Sequence, residues 1–181
     1  MIPITRPYFN NKEIEAVKRV IKSGWVVQGP KVKEFEKKIA RFTGAKYALA
    51  TSSCTTALHS SLAALGIGAD DEVIVPAFTF VASANVVEHQ GAKPVFVDID
   101  PKTFNIDPLK TEKAITEKTK AIMPVHLFGL SADMGKIMKI AKKYKLFVIE
   151  DAACALGTKY RDKHVGTFGD TGCFSFHPRK S

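Results

Sequence analysis

The chain has 181 residues, 45% of them hydrophobic and 25% charged, with 27 Lys and Arg against 18 Asp and Glu for a formal net charge of +9. That balance excludes a wholly disordered chain, and no apolar run approaches the ~18–20 residues of a membrane span. Three cysteines (Cys54, Cys154 and Cys173) without a Cys-x-x-Cys pair suggest neither a disulfide scaffold nor a zinc knuckle, and are expected as small buried thiols.

The N-terminus, Met1-Ile-Pro-Ile-Thr-Arg-Pro7, lacks a basic start followed by an apolar stretch. No signal peptide is expected there, and the expected compartment is the cytoplasm. A first helix is predicted over 11–23, where Ile14, Val17 and Ile21 recur at helical spacing before Gly24. A second is predicted over 30–43, opened by Pro30, striped by Val32, Phe35, Ile39 and Phe42, and ended by Gly44. These two form an N-terminal helical segment, residues 1–45.

The period then changes. Short apolar runs at Tyr47–Ala50, Val73–Val75, Pro94–Val97, Ala121–Val125, Leu146–Ile149 and Gly172–Phe176 alternate with helical stretches near 54–65, 79–90, 108–116 and 133–144. Strand–helix alternation with near-continuous apolar strands predicts an α/β three-layer sandwich around a mostly parallel sheet. Ligands of such sheets bind beyond the carboxyl ends of the strands.

Charge is unevenly spread. Residues 1–50 hold 11 basic and 4 acidic side chains, residues 101–145 hold 10 and 4, and residues 51–100 hold 1 and 6. The basic groups fall on predicted helices, as solvated faces do. No Arg-rich arm or basic run with interleaved aromatics points to nucleic acid. A G-x-G-x-x-G after the first strand, a P-loop and a Gly-x-Ser-x-Gly are all absent, so nucleotide folds of those kinds and serine hydrolases are disfavoured. Asp98-x-Asp100 opens like a calcium loop, but Thr103 and Leu109 stand where the turn glycine and the bidentate glutamate belong. No metal site is expected.

Three strand ends carry candidate chemistry. Ser52-Ser-Cys-Thr-Thr56 opens a helix, which makes it either an anion cradle of free N–H groups or a plain N-cap. Glu150-Asp151 closes an apolar strand, as a partner for a cationic ring nitrogen or as a cap for the next segment. Lys180 follows the strand at Phe174-Ser-Phe176, as a Schiff-base nucleophile or an ordinary surface lysine. A phosphate cradle, a carboxylate and a lysine together are the parts of a pyridoxal phosphate site.

With these parts the chain resembles the N-terminal half of the DegT/DnrJ/StrS family of sugar aminotransferases, which have the aspartate aminotransferase fold (fold type I). The matching stretches include Ser23-Gly-Trp25, Ala50-Thr-Ser-Ser53, Pro76-x-Phe-Thr-Phe80, Pro124-Val-His-Leu-Phe-Gly129, Glu150-Asp-Ala-Ala153 and Phe174-Ser-Phe-His-Pro178 with Lys180. The resemblance implies a partial cofactor-binding large domain over 46–181 and pyridoxal 5′-phosphate as cofactor. It implies Lys180 as the catalytic lysine, Asp151 as partner of the ring nitrogen, Phe80 as the stacking aromatic, and Cys54, Thr55 and Ser175 as phosphate-binding positions. Cys154 stands where the family often has a Gln that approaches the cofactor's phenolic oxygen. Family dehydratases replace the lysine by His, so Lys180 favours transamination. The implied substrates are a nucleotide-linked keto-sugar and an amino-acid donor, glutamate. The implied partner is a second copy of the chain or a complementing C-terminal fragment. The alternative expectation is a catalytically silent, truncated family member with a binding or regulatory role. In the family fold another strand separates Tyr47–Ala50 from the last strand of this chain, so two exposed sheet edges or a split sheet are expected.

Overall fold

A computed structural model describes residues 6–180. Two N-terminal helices come first, α1 (Asn11–Lys22) and α2 (Pro30–Thr43). Asn10 opens α1 with a capping box: its side chain accepts from the Lys12 N–H at 2.8 Å, and its own N–H donates to Glu13 Oε2 at 2.7 Å. Helix α2 has Pro30 in its first turn and ends on Gly44, whose φ of 79° suits a residue without Cβ. The helices are where periodicity put them, but the α1 stripe of Ile14, Val17 and Ile21 stays exposed.

The rest of the chain alternates. Helix α3 spans Cys54–Ala64, strand β1 Glu72–Pro76, helix α4 Ala82–His89, strand β2 Lys93–Val97, helix α5 Pro108–Lys113, strand β3 Thr119–Ile122, helix α6 Met134–Tyr144 and strand β4 Phe147–Asp151. A two-stranded hairpin follows, β5 (Lys159–Tyr160) and β6 (Lys163–His164), and then β7 (Thr171–Cys173). The main sheet has the order β2-β1-β3-β4-β7, and every pairing in it is parallel.

Side chains of each strand alternate between two cores, as the pleat requires. Val73 and Val75 pack with Leu58, Leu62, Val86 and Val87 of α3 and α4, whereas Ile74 packs with Ile137 and Ile140 of α6. Met123 and Ile149 face the α3/α4 layer, and Ile122 and Val148 face the α6 layer. Each such fully buried aliphatic side chain contributes about 1.5–3 kcal/mol of transfer free energy. The result is the expected three-layer sandwich.

One predicted strand does not form. Tyr47–Ala50 has no strand partner among the described residues, and Tyr47 and Leu49 are 79% and 80% exposed. A strand exists through its neighbours' hydrogen bonds, and among the described residues β7 pairs with β4 alone. Residues 47–50 therefore leave most backbone groups to water. The Ala50 N–H is an exception, donating to Glu36 Oε1 of α2 at 2.9 Å. The β5–β6 hairpin was not legible beforehand: Arg161 and Asp162 both take positive φ (46° and 63°), as a two-residue primed turn demands, without the usual glycine.

Candidate active site

The site is built on the carboxyl end of β4. Val148 faces the α6 layer and Ile149 the α3/α4 layer, so strand alternation sends Glu150 and Asp151 to opposite sides. Asp151, 5% exposed, meets α4: the Ser83 hydroxyl donates to its Oδ2 at 2.8 Å, and the Ala153 N–H donates to Oδ1 at 3.1 Å. Thr79 Oγ1 lies 3.1 Å from Ser83 Oγ and extends the chain of hydroxyls. Burial pushes the Asp151 carboxyl above the ordinary range, and the hydrogen bonds from Ser83 and Ala153 pull it back only in part.

Glu150 does different work. It is fully buried, and one oxygen accepts from the N–H groups of Phe168 and Gly169 at 2.6 and 2.8 Å. The other accepts from Gly166 N–H at 2.7 Å and lies 3.0 Å from His126 Nε2. The Ala132 N–H donates to His126 Nδ1 at 3.1 Å, so the network assigns the ring hydrogen to Nε2 and makes it a donor to Glu150. Glu150 is thus the clasp of the 166–169 loop, neither a ring-nitrogen partner nor a helix cap. That loop lies on β7: a Cβ on Gly172 would come within 2.1 Å of the Gly166 carbonyl oxygen.

The other candidates come from three further elements. Lys180 Nζ donates to Cys154 Sγ at 3.2 Å and sits 5.5 Å from the centroid of the Phe80 ring, so these three share one mouth. Cys54 opens α3 beside them. Burial chiefly raises its thiol, with the charge of Asp151 adding and that of Lys180 opposing. Thr55 lies in the same first turn. Ser53 caps that turn by accepting from Thr56 N–H at 3.1 Å, and the N–H groups of Cys54 and Thr55 have no acceptor among the described residues. The N-cap reading is thus met by Ser53, and the first-turn N–H donors of Cys54 and Thr55 remain open. Ser175 accepts from the His177 N–H at 3.3 Å, and no hydrogen bond joins it to Thr55 or Cys54 among the described residues. Sequence reasoning missed Ser83 and the His126–Glu150 clasp. The spacing of Thr79 and Ser83, four apart at a helix start, was the available signal for the first.

The family profile described as the DegT/DnrJ/EryC1/StrS aminotransferase family matches residues 7–181. The chain belongs to this family. It is 48% identical over 180 residues to the spore coat polysaccharide biosynthesis protein SpsC of Bacillus subtilis (strain 168), covering 99% of this chain and 46% of that protein. It is 48% identical to GDP-perosamine synthase of Caulobacter vibrioides, covering 99% and 48%. Among solved structures, Spr1654 from Streptococcus pneumoniae in its PLP form superposes with a TM-score of 0.96 at 38% identity, covering 99% of this chain and 50% of that one. NtdA from Bacillus subtilis with bound cofactor PMP gives a TM-score of 0.90 at 41% identity, covering 97% and 40%. The chain thus spans about half the length of the relatives it matches. The family's cofactor is pyridoxal phosphate, and the fold is that of the fold type I aminotransferases.

The donor set fits that cofactor. A buried carboxylate, a lysine beside an aromatic ring, and a helix N-terminus with open N–H groups stand around the ends of β4 and β7. Ser83→Ala is expected to weaken pyridoxal phosphate binding about 10- to 100-fold, since a hydrogen bond to a charged group is worth about 1.5–3 kcal/mol. Ser83→Thr should restore it. Equilibrium dialysis of the three proteins checks both.

Proposed function

We propose that the chain is the cofactor-binding portion of a pyridoxal-phosphate-dependent aminotransferase acting on a nucleotide-linked keto-sugar, with glutamate as amino donor. The observation that carries this reading is the contact of Lys180 with Phe80 and Cys154 at the mouth that also holds the buried Asp151. When bound, the cofactor supplies an aldehyde that carries the amino group and a ring that takes up electron density.

This chain's own residues do the rest. Lys180 presents the amine that joins the cofactor and afterwards moves a proton between substrate and cofactor carbons. Asp151, held by Ser83, keeps the ring nitrogen protonated. Its carboxylate is costly to bury alone, and a cationic nitrogen beside it offsets that cost. Phe80 offers a π-face to the ring. Cys54 and Thr55 offer backbone N–H groups to the phosphate, and Ser175 offers a hydroxyl. The relatives in spore coat polysaccharide biosynthesis and GDP-perosamine synthesis support a nucleotide-sugar substrate. The partner in this reading is a second copy of the chain or a C-terminal fragment that completes the site.

The test is borohydride reduction in the presence of pyridoxal phosphate, followed by peptide mapping. A stoichiometric adduct confined to Lys180, and lost in Lys180→Ala, is the expected result. No adduct, or adducts scattered over surface lysines, would overturn the reading for this chain.

A further inference from the structure

We infer that Lys180 and Cys154 form an oxidation site, at which a peroxide converts the pair into a reversible sulfur–nitrogen cross-link. The cross-link stands on the geometry alone, whereas its consequence for cofactor loading rests on the role of Lys180 proposed above.

All three cysteines of the chain lie around this mouth, and they differ in kind. Cys173 is buried at the end of β7, its Sγ lies 3.4 Å from Ser61 Oγ, and burial pushes its thiol up to about 11. Cys54 is pushed up further, by burial and by the charge of Asp151. Neither is in hydrogen-bond contact with a cation among the described residues. Cys154 is half-buried, and among the described residues it is the cysteine in hydrogen-bond contact with a cation, the Lys180 ammonium at 3.2 Å. An accessible cysteine sulfur is open to peroxide, and this one has a lysine nitrogen already in place to capture the oxidised sulfur.

The chemistry balances in two steps. The Cys154 sulfur attacks hydrogen peroxide. An S–O bond forms, the O–O bond breaks, one water leaves, and the sulfur is oxidised by two electrons to a sulfenic acid. Lys180 gives its ammonium proton to solvent, and the free amine then attacks that sulfur. An S–N bond forms, the S–O bond breaks, and hydroxide departs with a proton from the amine as a second water. The sum is thiol plus amine plus hydrogen peroxide to S–N cross-link plus two waters. Two equivalents of an added thiol reverse it, regenerating the Cys154 thiol and the Lys180 amine and leaving the added thiol as its disulfide.

The amine wins over the other thiols because it is already in contact with the sulfur, which makes the second step effectively intramolecular. Because the product has no free lysine amine, an oxidised chain cannot take up pyridoxal phosphate at Lys180 until a thiol restores it.

The experiment treats the full chain with hydrogen peroxide, digests it without reductant and maps the peptides by mass. The expected product joins the Cys154 and Lys180 peptides at the sum of their masses less two hydrogens. It should vanish with dithiothreitol and be absent in Cys154→Ser and in Lys180→Arg. Loss of the borohydride-trapped Lys180 adduct should match the fraction cross-linked. A Cys154 sulfenic or sulfinic acid with Lys180 free, or a disulfide from Cys154 to Cys54 or Cys173, would overturn the inference. Untreated protein separates the two readings. If it forms no Lys180 adduct yet the cross-link appears, the proposed function fails and the oxidation site stands.

Discussion

Glu150→Ala is expected to cost about 3–5 kcal/mol of folding stability, a large share of the ~5–15 kcal/mol that a domain has. The carboxylate accepts from three backbone N–H groups of the 166–169 loop, and it faces the His126 Nε2–H. Alanine removes every acceptor at once. A lost hydrogen bond matters less than the donors left without a partner, each worth about 1–3 kcal/mol when buried. The loop also lies on β7, where Gly172 leaves no room for a Cβ. Freeing the loop therefore loosens β7 and, through it, the segment that carries Ser175 and Lys180. Glu150→Gln should fall between wild type and alanine: one amide oxygen still accepts, while its NH2 faces N–H donors. Urea unfolding at neutral pH measures the loss, and amide exchange at 166–169 locates it. Unchanged midpoints in both variants would contradict the clasp.

The same pair of residues shows how far the sequence could be read. Glu150 and Asp151 stand together at the end of an apolar strand, and composition alone gives either carboxylate the same claim on a ring nitrogen. Strand alternation divides them, because neighbours on a strand face opposite layers. Only the packing of the flanking residues tells which layer holds the site: Ile149 goes with α3 and α4, and Val148 with α6. The sandwich itself, the two leading helices and the parallel strands were legible because periodicity is local and strong. Tyr47–Ala50 was misread for the opposite reason. Its apolar pattern is that of a strand, but pairing is a property of the neighbour, and no neighbour stands beside it among the described residues. The β5–β6 hairpin escaped because Arg161-Asp162 carries none of the Gly or Asn that marks a primed turn. Ser83 escaped because its spacing from Thr79, four apart at a helix start, points to no partner until the fold sets it against Asp151.

Asp151→Asn is expected to stabilise the cofactor-free protein and to remove its response to the cofactor. Burial raises the Asp151 carboxyl above its ordinary value. A carboxyl raised on folding contributes stability that is fully present below the unfolded value and is lost as pH rises through the folded one. At neutral pH the wild type therefore bears the cost of a buried charge, about 1.4 kcal/mol for each tenfold by which burial disfavours ionisation. Asparagine carries no such charge, and its side-chain oxygen still accepts from Ser83 or from the Ala153 N–H. The gap between variant and wild type should be near zero in acid, where both side chains are neutral. It should open in the variant's favour as pH rises past the ordinary carboxylate range. Pyridoxal phosphate should invert the order, because a cationic ring nitrogen meets the carboxylate in wild type and finds no charge in the variant. In the proposed reaction, loss of this charge should slow the cofactor-dependent step on the order of 100-fold, the usual effect of deleting one electrostatic group from an active site. Thermal melts across pH, with and without pyridoxal phosphate, carry the test. A variant less stable than wild type at neutral pH without cofactor would show that the Ser83 and Ala153 hydrogen bonds outweigh burial. A variant stabilised as strongly as wild type by the cofactor would show that Asp151 does not face its ring nitrogen.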